Sequence, residues 1–483
     1  SSKIQNDGEV GGGRHCKPKC VRLVYAQVFG PQQTTYSLKE ELERLGDFAS
    51  LDTRKVLARL ELLQSPAYQF NRSGKKDPAM FALSKSDFIQ LKHERNDGCG
   101  FISDDLLTKL CSQGGPAVAK RALAIQVRAV IPEMGIYKGV LMRKRIPPGE
   151  PQIQLMPSMQ KVGPSRNADT DDRAFLWITQ AGMHPSNNNI MMARKLDPYE
   201  KDPPKSFIKN VKKVSDDVLR LWQTLGVPEN VCETYAKNSF GKLSHLQHAS
   251  VVGVADPTNS IPPGQVFVTG MWHMSQQSIF VTRFPCNHPT DGRILSNVTD
   301  KPEFMAESDW LWLKELPFGA IIFADAKEGM QPLPVHIADG DLDGDLYFVC
   351  WDAEILEQLN TEPVLDTALD VEEEEAPTRK EESHPDEDWL KKAQQQMVDT
   401  TKVYDMSVLT GKLYNLAKTA ATENKKLITR DPEAMAFASA YKEALKHGKH
   451  GGKISLPDHL RTKIPERLQN YLTSSPPLSL LHI

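Results

Sequence analysis

The sequence predicts an α+β fold made of two β-rich units that are linked and flanked by helical regions. The first β-rich stretch contains ALAIQVRAVI at 122–131 and GIYKGVLM at 135–142, which are rich in branched residues and separated by a turn at Pro132. The second stretch, 250–352, contains QVFVTGMW, SIFVTRF, GAIIFAD and LYFVCWD between turns rich in Pro, Gly and Asn. A helical pattern between the two stretches indicates that they are separate units.

Helical signals come before, between and after the β-rich stretches. Ser37 and Glu40 form a capping-box pattern, and TRKVLARLELL at 53–63 has apolar residues at helical spacing. Between the stretches, Ser215 can cap a helix that ends before Gly226; its apolar face consists of Val218, Leu219, Trp222 and Leu225. After them, Ala-rich segments such as AMAFASAYKEALKHG predict further helices.

These signals divide the chain of 483 residues into seven segments. They are a flexible leader at 1–20, an N-terminal helical region at 21–118, a first β-barrel unit at 119–185, a helical connector at 186–249, a second β-barrel unit with an aspartate loop at 250–355, an acidic linker at 356–390 and a C-terminal helical region at 391–483. Because the chain begins at Ser1 rather than at methionine, we expect a fragment or a processed form.

The formal net charge of −3 does not by itself indicate a nucleic-acid-binding protein, but the charge is unevenly distributed. Residues 361–388 contain twelve Asp or Glu and two basic residues, so the rest of the chain carries a net charge of about +7. A moderately basic body can neutralise a phosphate backbone. The acidic segment itself predicts a mobile insertion, with a protein-binding tail or a phosphate mimic as alternatives.

Composition also limits the compartment. No run of 18 or more apolar residues is present, so the sequence predicts no membrane span. Seven cysteines, an odd and scattered set, argue against a disulfide framework and favour an intracellular, reducing compartment, without deciding between nucleus and cytoplasm. His15, Cys16 and Cys20 lack the second ligand pair that a zinc finger requires.

The clearest chemical feature is DGDLDGDLYFVCWD at 339–352, where Asp339, Asp341, Asp343 and Asp345 occupy alternate positions. So many carboxylates within a few ångströms repel one another unless cations lie among them. Oxygen ligands select hard ions such as Mg²⁺ or Ca²⁺. Glycines at 340 and 344 allow the sharp turns that convergence requires, and LYFVCW predicts a buried strand that anchors the loop.

Three interpretations of this loop compete. A solvated acidic turn is disfavoured because the alternating carboxylates are attached to an apolar strand. A calcium loop of the EF-hand type needs a Glu at its twelfth position, which is Cys350 here, and a helix where LYFVCW stands. A catalytic site for nucleotidyl transfer, with one resident Mg²⁺ and a second arriving with a nucleoside triphosphate, explains why several carboxylates are needed.

At this loop the sequence resembles the eukaryotic cellular RNA-dependent RNA polymerases of RNA silencing, which carry an Asp-x-Asp-Gly-Asp motif. Further blocks resemble that family in the same order, from Arg54 to Pro457: RKVLARLELL, DGCGFIS, IQVR, YKGVL, GQVFV and RFPCNHPTD. The resemblance implies two double-psi β-barrels facing one another, as in the catalytic core of multisubunit RNA polymerases. It also implies addition of NTPs to an RNA 3′ end on a single-stranded RNA template, making double-stranded RNA for gene silencing.

The resemblance assigns roles to residues by position. Asp341, Asp343 and Asp345 would bind Mg²⁺, with Mn²⁺ as a substitute. Lys138 in YKG and Lys161 in SMQK would be catalytic lysines that hold phosphates and offset developing charge.

Two arginines complete the carried-over set, since Arg128 and Arg283 would contact the RNA backbone. His288 would orient the CNHPTD loop, with a purely structural role as the alternative. The expected partners are template and product RNA, nucleoside triphosphates and proteins of the silencing pathway.

The sequence departs from the family pattern at three places, and two other functions stay open. Ala338 to Gly340 stand where serine or glycine is common, Thr290 replaces a glycine, and Met156 and Pro157 occupy positions that are frequently basic. The first alternative is a DNA-templated polymerase of the same barrel family. The second is a catalytically silent RNA-binding protein, against which the intact DLDGD motif counts.

Overall fold

In the computed structural model, the chain divides into a unit of residues 1–41 and a unit of residues 42–483. The structure describes residues 38–51, 53–72, 75–92, 96–116, 119, 122–166, 173–179, 190–192, 214–236, 247–271, 277–327, 330–361, 389–391, 400–450 and 452–475. Of the first unit it therefore describes only 38–41. The expected leader at 1–20 and nearly all of the acidic run at 361–388 lie outside the described residues.

The described elements are both helical and extended, which confirms the α+β class. The helices are α1 (Leu38–Leu45), α2 (Thr53–Leu63), α3 (Asp104–Cys111), α4 (Asp216–Thr224), α5 (Glu229–Ala236), α6 (Glu307–Glu315), α7 (Ala353–Gln358), α8 (Thr400–Glu423), α9 (Pro432–His450) and α10 (Asp458–Arg461). Among these helices, none is long and apolar enough to cross a membrane.

The strands before the connector are β1 (Gln69–Arg72), β2 (Lys75–Pro78), β3 (Met80–Ser84), β4 (Phe88–Gln90), β5 (Cys99–Ser103), β6 (Ala122–Ile131), β7 (Gly135–Lys144), β8 (Ile153–Leu155), β9 (Gln160–Val162), β10 (Arg173–Ile178) and β11 (Ile190–Met192). Those after it are β12 (His248–Ala255), β13 (Gln265–Val268), β14 (Ser278–Arg283), β15 (Gly292–Asn297), β16 (Ala320–Phe323), β17 (Leu346–Cys350), β18 (Ile454–Pro457) and β19 (Leu472–Ser475).

The first β unit is a sheet of nine strands in the order β3-β10-β6-β7-β5-β8-β4, with β11 on β6 and β9 on β7. Strand β6 is buried at all ten positions, which explains why apolar residues occupy both of its faces; Gln126 and Arg128 are its two buried polar residues. It pairs antiparallel with β7, and this register places Arg128 opposite Lys138.

The region at 21–118, expected to be helical, also contributes strands to this sheet. Strands β3, β4 and β5 pair with β10, β8 and β7, respectively. Short strands such as FIQ are stabilised by partners distant in sequence, so local propensity does not reveal them.

The second β unit is a closed barrel of six strands in the order β12-β16-β13-β15-β14-β17. Strand β17 lies between β12 and β14 and runs antiparallel to both, so the strand that follows the aspartate loop is fixed on both edges. One apolar core continues through both β units. The double-psi crossing of each unit stays a prediction.

Helical segments cover the second barrel. Ser215 caps α4, as predicted, and its Oγ accepts a hydrogen bond from the Val218 N–H (3.3 Å). Trp222 of α4 is fully buried against Phe280 and Phe348 of the barrel.

After the acidic run, Trp389 stacks on Phe48 of the N-terminal region at 5.6 Å between ring centroids.

Helices α8 and α9 pack on each other and, with β18 and the turns after it, form a separate C-terminal core. Polar contacts attach this region to the rest of the chain. The Tyr414 hydroxyl of α8 donates a hydrogen bond to Asp217 of α4 (2.9 Å), and α9 packs against α2.

Candidate active site

Asp341, Asp343 and Asp345 converge at the entry of β17. Each offers a carboxylate oxygen, and these three oxygens lie within 4.8 Å of one another. The three side chains are half-buried. Below them, the buried Tyr347 hydroxyl donates a hydrogen bond to the Asp341 carbonyl oxygen (3.0 Å), which ties the loop to the strand that carries it.

Hydrogen bonds within the loop fix its curvature. The Asp341 N–H donates to Asp345 Oδ2 (3.1 Å), and the Asp343 N–H donates to Asp341 Oδ1 (3.3 Å). Gly344 has φ +137°, so the predicted need for glycine there is met. The other sharp bend falls at Ala338 and Asp339, with φ of 52° and 49°, rather than at Gly340. Gly340 is required for space, because a Cβ there would lie 2.3 Å from the Tyr347 hydroxyl.

The electrostatics of the loop call for a cation. Burial, and after it the neighbouring Asp343 and Asp345 carboxylates, together raise the pKa of Asp341 to about 8. A divalent ion bound by the three oxygens would remove this penalty. Three converging carboxylates therefore fit Mg²⁺, which prefers oxygen ligands.

Two cations already pair with the loop, one from each β unit. Lys138 of β7 forms an ion pair with Asp343. Arg283 of β14 forms an ion pair with Asp345 and also donates from Nη2 to Asp345 Oδ1 (3.2 Å). Arg283 Nη1 donates to the Ala338 carbonyl oxygen (3.1 Å), so this arginine spans the loop from its first bend to its last aspartate.

The first β unit also touches the loop through uncharged groups that the sequence analysis did not identify. Gln126 Nε2 of β6 donates to the Asp343 carbonyl oxygen (2.8 Å). The Leu342 N–H donates to the Asp97 carbonyl oxygen (2.8 Å), just before Gly98. A Cβ on Gly98, whose φ is +87°, would lie 2.7 Å from Asp343 Cβ. The DGCGFIS block resembles a block of the family, and its second residue, Gly98, lies against the aspartate loop.

Lys161 lies beside this junction. Its ammonium donates to the Ser158 carbonyl oxygen, while the Ser158 Oγ accepts from the Gly98 N–H (2.9 Å). Burial lowers the pKa of Lys161; Asp97 and Asp343 act in the opposite direction, and Arg59 and Lys138 lower it further. The structure thus places both predicted lysines in the electrostatic field of Asp343.

Arg128 is buried in β6 rather than exposed at the surface, where an RNA contact was expected. It is 8% exposed, donates from Nη1 to the Val127 carbonyl oxygen (2.9 Å), and has its pKa lowered by burial and partly restored by Asp343. His288 lies in the turn between β14 and β15. Its Nδ1 accepts from the N–H of Thr290 (3.3 Å), the residue that replaces the usual glycine.

One further basic residue lies behind the loop. Lys442 of α9 forms ion pairs with Asp291 (2.6 Å) and with Asp339 (3.2 Å). Burial alone would lower the pKa of Lys442, but the two carboxylates more than offset that effect and raise it. Nothing in AYKEALKHG marks this lysine, which only the tertiary fold brings to the loop.

The loop of a closed barrel thus presents three converging carboxylates, neutralised in part by a lysine and an arginine, which is a candidate metal centre. Comparison with known proteins identifies its family. The family described as RNA dependent RNA polymerase matches residues 16–187 and 241–475, most of the chain. The chain therefore belongs to the RNA-dependent RNA polymerase family, and the predicted resemblance is confirmed.

Individual relatives agree with this assignment. The chain is 31% identical over 122 residues to RNA-dependent RNA polymerase 1 of Arabidopsis thaliana, which is 24% of this chain and 10% of that protein. It is 30% identical over 114 residues to the probable RNA-dependent RNA polymerase 1 of Oryza sativa subsp. japonica, which is 22% of this chain and 14% of that protein. These matches span well under two thirds of the relatives' own length.

A solved structure shares the fold. RNA dependent RNA polymerase QDE-1 from Thielavia terrestris superimposes with a TM-score of 0.54 at 16% sequence identity. The superposition covers 92% of this chain and 55% of that chain. At this identity the likeness concerns the fold.

Proposed function

We propose that this chain is the catalytic core of an enzyme that adds nucleotides to an RNA 3′ end, copying a single-stranded RNA template. The observation that carries the proposal is the convergence of Asp341, Asp343 and Asp345 beside Lys138 and Arg283. In the reaction, the 3′-oxygen bonds to the α-phosphorus of a nucleoside triphosphate and loses its proton. The bond from that phosphorus to the pyrophosphate oxygen breaks.

The metal is assigned by ligand chemistry. The three aspartates would hold one Mg²⁺, with Mn²⁺ as a substitute, and a second Mg²⁺ would arrive with the triphosphate. When bound, these ions lower the pKa of the 3′-hydroxyl and stabilise the leaving pyrophosphate. The chain's own contribution is to hold the carboxylates together against their repulsion, through Lys138 on Asp343 and Arg283 on Asp345.

The lysines would offset substrate charge. Triphosphate and RNA bring several negative charges to a site that already holds three carboxylates. Lys138 and Lys161, which both interact electrostatically with Asp343, are the catalytic lysines of this proposal. Lys161 donates to the Ser158 carbonyl oxygen, whereas Lys138 is already paired with Asp343.

The two arginines have different roles in this proposal from those first expected. Arg283 is engaged with Asp345 and the Ala338 carbonyl, so its main work is to hold the loop, with RNA contact secondary. Arg128, at 8% exposure, offers RNA little surface and would act through the charge of the site.

The cellular setting follows from chemistry and family. None of the five described cysteines is in a disulfide, and all five are buried, which supports a reducing, intracellular compartment. The partners of this proposal are template RNA, product RNA and nucleoside triphosphates. A role in making double-stranded RNA for silencing, with proteins of that pathway, rests on the family.

The test is incorporation of labelled ribonucleotides on single-stranded RNA, compared with single-stranded DNA of the same sequence, with Mg²⁺ and with EDTA. Asp343→Ala removes a metal ligand and is expected to reduce synthesis by at least about 10³-fold, since a bound metal contributes several kcal/mol to the transition state. Asp300→Ala, at an exposed position, is the matched control.

Each outcome separates one interpretation from the others. Magnesium-dependent product complementary to RNA, lost in Asp343→Ala and kept in Asp300→Ala, supports the proposal. Equal use of the DNA template favours the DNA-templated alternative. RNA binding without synthesis favours a catalytically silent protein, and full activity in Asp343→Ala refutes the metal assignment.

A further inference from the structure

Lys442 connects the C-terminal helical region to the aspartate loop. It lies on α9, and its ammonium is 2.6 Å from Asp291 Oδ1 and 3.2 Å from Asp339 Oδ2. One of these partners is in the turn between β14 and β15, and the other begins the aspartate loop. A single ammonium therefore bridges two segments of the second barrel.

The Asp291 side of the bridge is rigid. Asp291 is 1% exposed, and its Oδ2 accepts a hydrogen bond from the His288 N–H (2.8 Å). Its carbonyl oxygen accepts from Thr282 Oγ1 (2.9 Å), directly before Arg283 in β14. A carboxylate this buried needs a cation, and Lys442 supplies it.

The Asp339 side of the bridge is the strained one. Ala338 and Asp339 both lie in the left-handed region, which side chains disfavour, so surrounding contacts must hold this bend. Arg283 binds the Ala338 carbonyl oxygen and Lys442 binds the Asp339 carboxylate. The bend is thus fixed from two directions by two cations.

This placement explains why three of the four alternating aspartates converge. Asp341, Asp343 and Asp345 form the cluster, whereas Asp339 points to Lys442. The Asp339 side chain is 39% exposed, so without Lys442 its carboxylate would be solvated and free to turn toward the aspartate cluster two residues away. It would then compete for the same ion.

We propose that Lys442 is a positioning residue for the metal site: it holds Asp339 out of the aspartate cluster and fixes the bend at Ala338 and Asp339. Its ion-pair partners are Asp291 and Asp339, so it acts through the loop rather than on reacting atoms. Because α9 also packs on α2 and α8, the C-terminal helical region becomes part of the catalytic architecture. The inference rests on the proposed function of the aspartate loop.

The experiment compares Lys442→Met with Lys446→Met, an exposed lysine one turn further along α9. Two readouts are taken: Mn²⁺ binding by the chain alone, followed by electron paramagnetic resonance, and kcat and KM for RNA synthesis. Lys442→Met is expected to lower kcat by about 10- to 100-fold, as small displacements of catalytic groups do, with KM for nucleotide within about threefold. Its Mn²⁺ affinity should rise by about threefold or more, because the freed Asp339 adds a ligand. Lys446→Met should match the unsubstituted chain.

A second substitution separates positioning from packing. In Lys442→Met, Asp339→Asn removes the freed carboxylate and should recover at least about fivefold of kcat, which loss of a packed side chain would not allow. Lys442→Arg keeps the charge and should stay within about threefold of the unsubstituted chain. Failure of Asp339→Asn to relieve the defect overturns the inference.

Two further outcomes keep the inference testable. If Lys442→Met unfolds because Asp291 is left unpaired, Asp339→Asn alone is tested instead, since it keeps the pair between Lys442 and Asp291. Asp339→Asn should lower kcat about two- to fivefold while Asp300→Asn does not, and an unchanged kcat overturns the inference.

If the unsubstituted chain makes no RNA, the proposed function is refuted, and the Mn²⁺ comparison still decides for or against the role of Lys442.

Discussion

A substitution at Gly98 would displace Asp343, a proposed metal ligand, without changing any charge. Its φ of +87° lies in the left-handed region, and a Cβ there would be 2.7 Å from Asp343 Cβ and 3.1 Å from the Asp343 backbone N and Cα. The Gly98 backbone cannot easily retreat, because its N–H donates to Ser158 Oγ (2.9 Å) and its carbonyl oxygen accepts from the Val140 N–H (3.0 Å). In Gly98→Ala, therefore, the aspartate loop has to move.

The size of the effect follows from this geometry. An alanine in the left-handed region costs about 1–2 kcal/mol of folding free energy. Ordinary van der Waals contact begins near 3.4 Å, so Asp343 must shift by about 0.7 Å or more, and a displacement of about 1 Å can reduce catalysis ~10²-fold. We expect kcat to fall between about tenfold and 10²-fold, well beyond what the loss of stability explains.

Gly149→Ala is the matched control. Gly149 has φ +91°, close to that of Gly98, but a Cβ there would have no atom within 4 Å. Both variants should lose about 1–2 kcal/mol in urea unfolding from backbone strain, while only Gly98→Ala should lose RNA synthesis and weaken Mn²⁺ binding. Equal activity in the two variants would show that the contact between Gly98 and Asp343 does not position the metal ligand.

Two further predictions concern the loop itself. Tyr347→Phe removes the hydroxyl bonded to the Asp341 carbonyl (3.0 Å) and should lower the free energy of unfolding by about 1–2 kcal/mol and weaken Mn²⁺ binding. Tyr414→Phe, which loses a hydrogen bond to Asp217 (2.9 Å), should cost similar stability and leave Mn²⁺ affinity unchanged; equal Mn²⁺ affinity in both variants contradicts the first expectation. Separately, because the pKa of Asp341 is raised to about 8, a metal must displace a proton below that pH. Titrations should show Mn²⁺ affinity rising with pH up to about 8 and levelling above it, and Asp341→Asn should flatten this dependence; a flat profile in the unsubstituted chain contradicts it.

The sequence alone was sufficient where the information is local. Alternating aspartates followed by LYFVC predict both the candidate ligands and the strand that holds them, and strand β17 begins at Leu346 as that pattern requires. The helix at Ser215 was predictable for the same reason, since its cap and its apolar face lie within eleven residues. Lys138 entered through the family resemblance, and the structure places it on Asp343.

The rest of the site depends on contacts between residues far apart in sequence. Gln126 of β6 and Lys442 of α9 are distant from the loop in sequence, and only the tertiary fold brings them to it. Neither residue lies in a distinctive local sequence pattern. Asp339 shows that a local pattern can also include a residue that the fold excludes from the site. It belongs to the alternating series by sequence, yet a lysine about a hundred residues later turns it away from the cluster.

The site therefore cannot exist before the fold does. Three carboxylates within 4.8 Å repel one another, and the cations that offset this repulsion come from β7, β14 and, behind the loop, α9. In the unfolded chain the three aspartates remain neighbours in sequence, but the cations lie far along the chain from them, so this compensation is absent. A metal that binds the folded triad consequently stabilises the folded state, by an amount that grows with its concentration relative to its dissociation constant. If the proposed metal binds, part of the stability of both β units and of the C-terminal helices would thus be linked to its binding at a single loop.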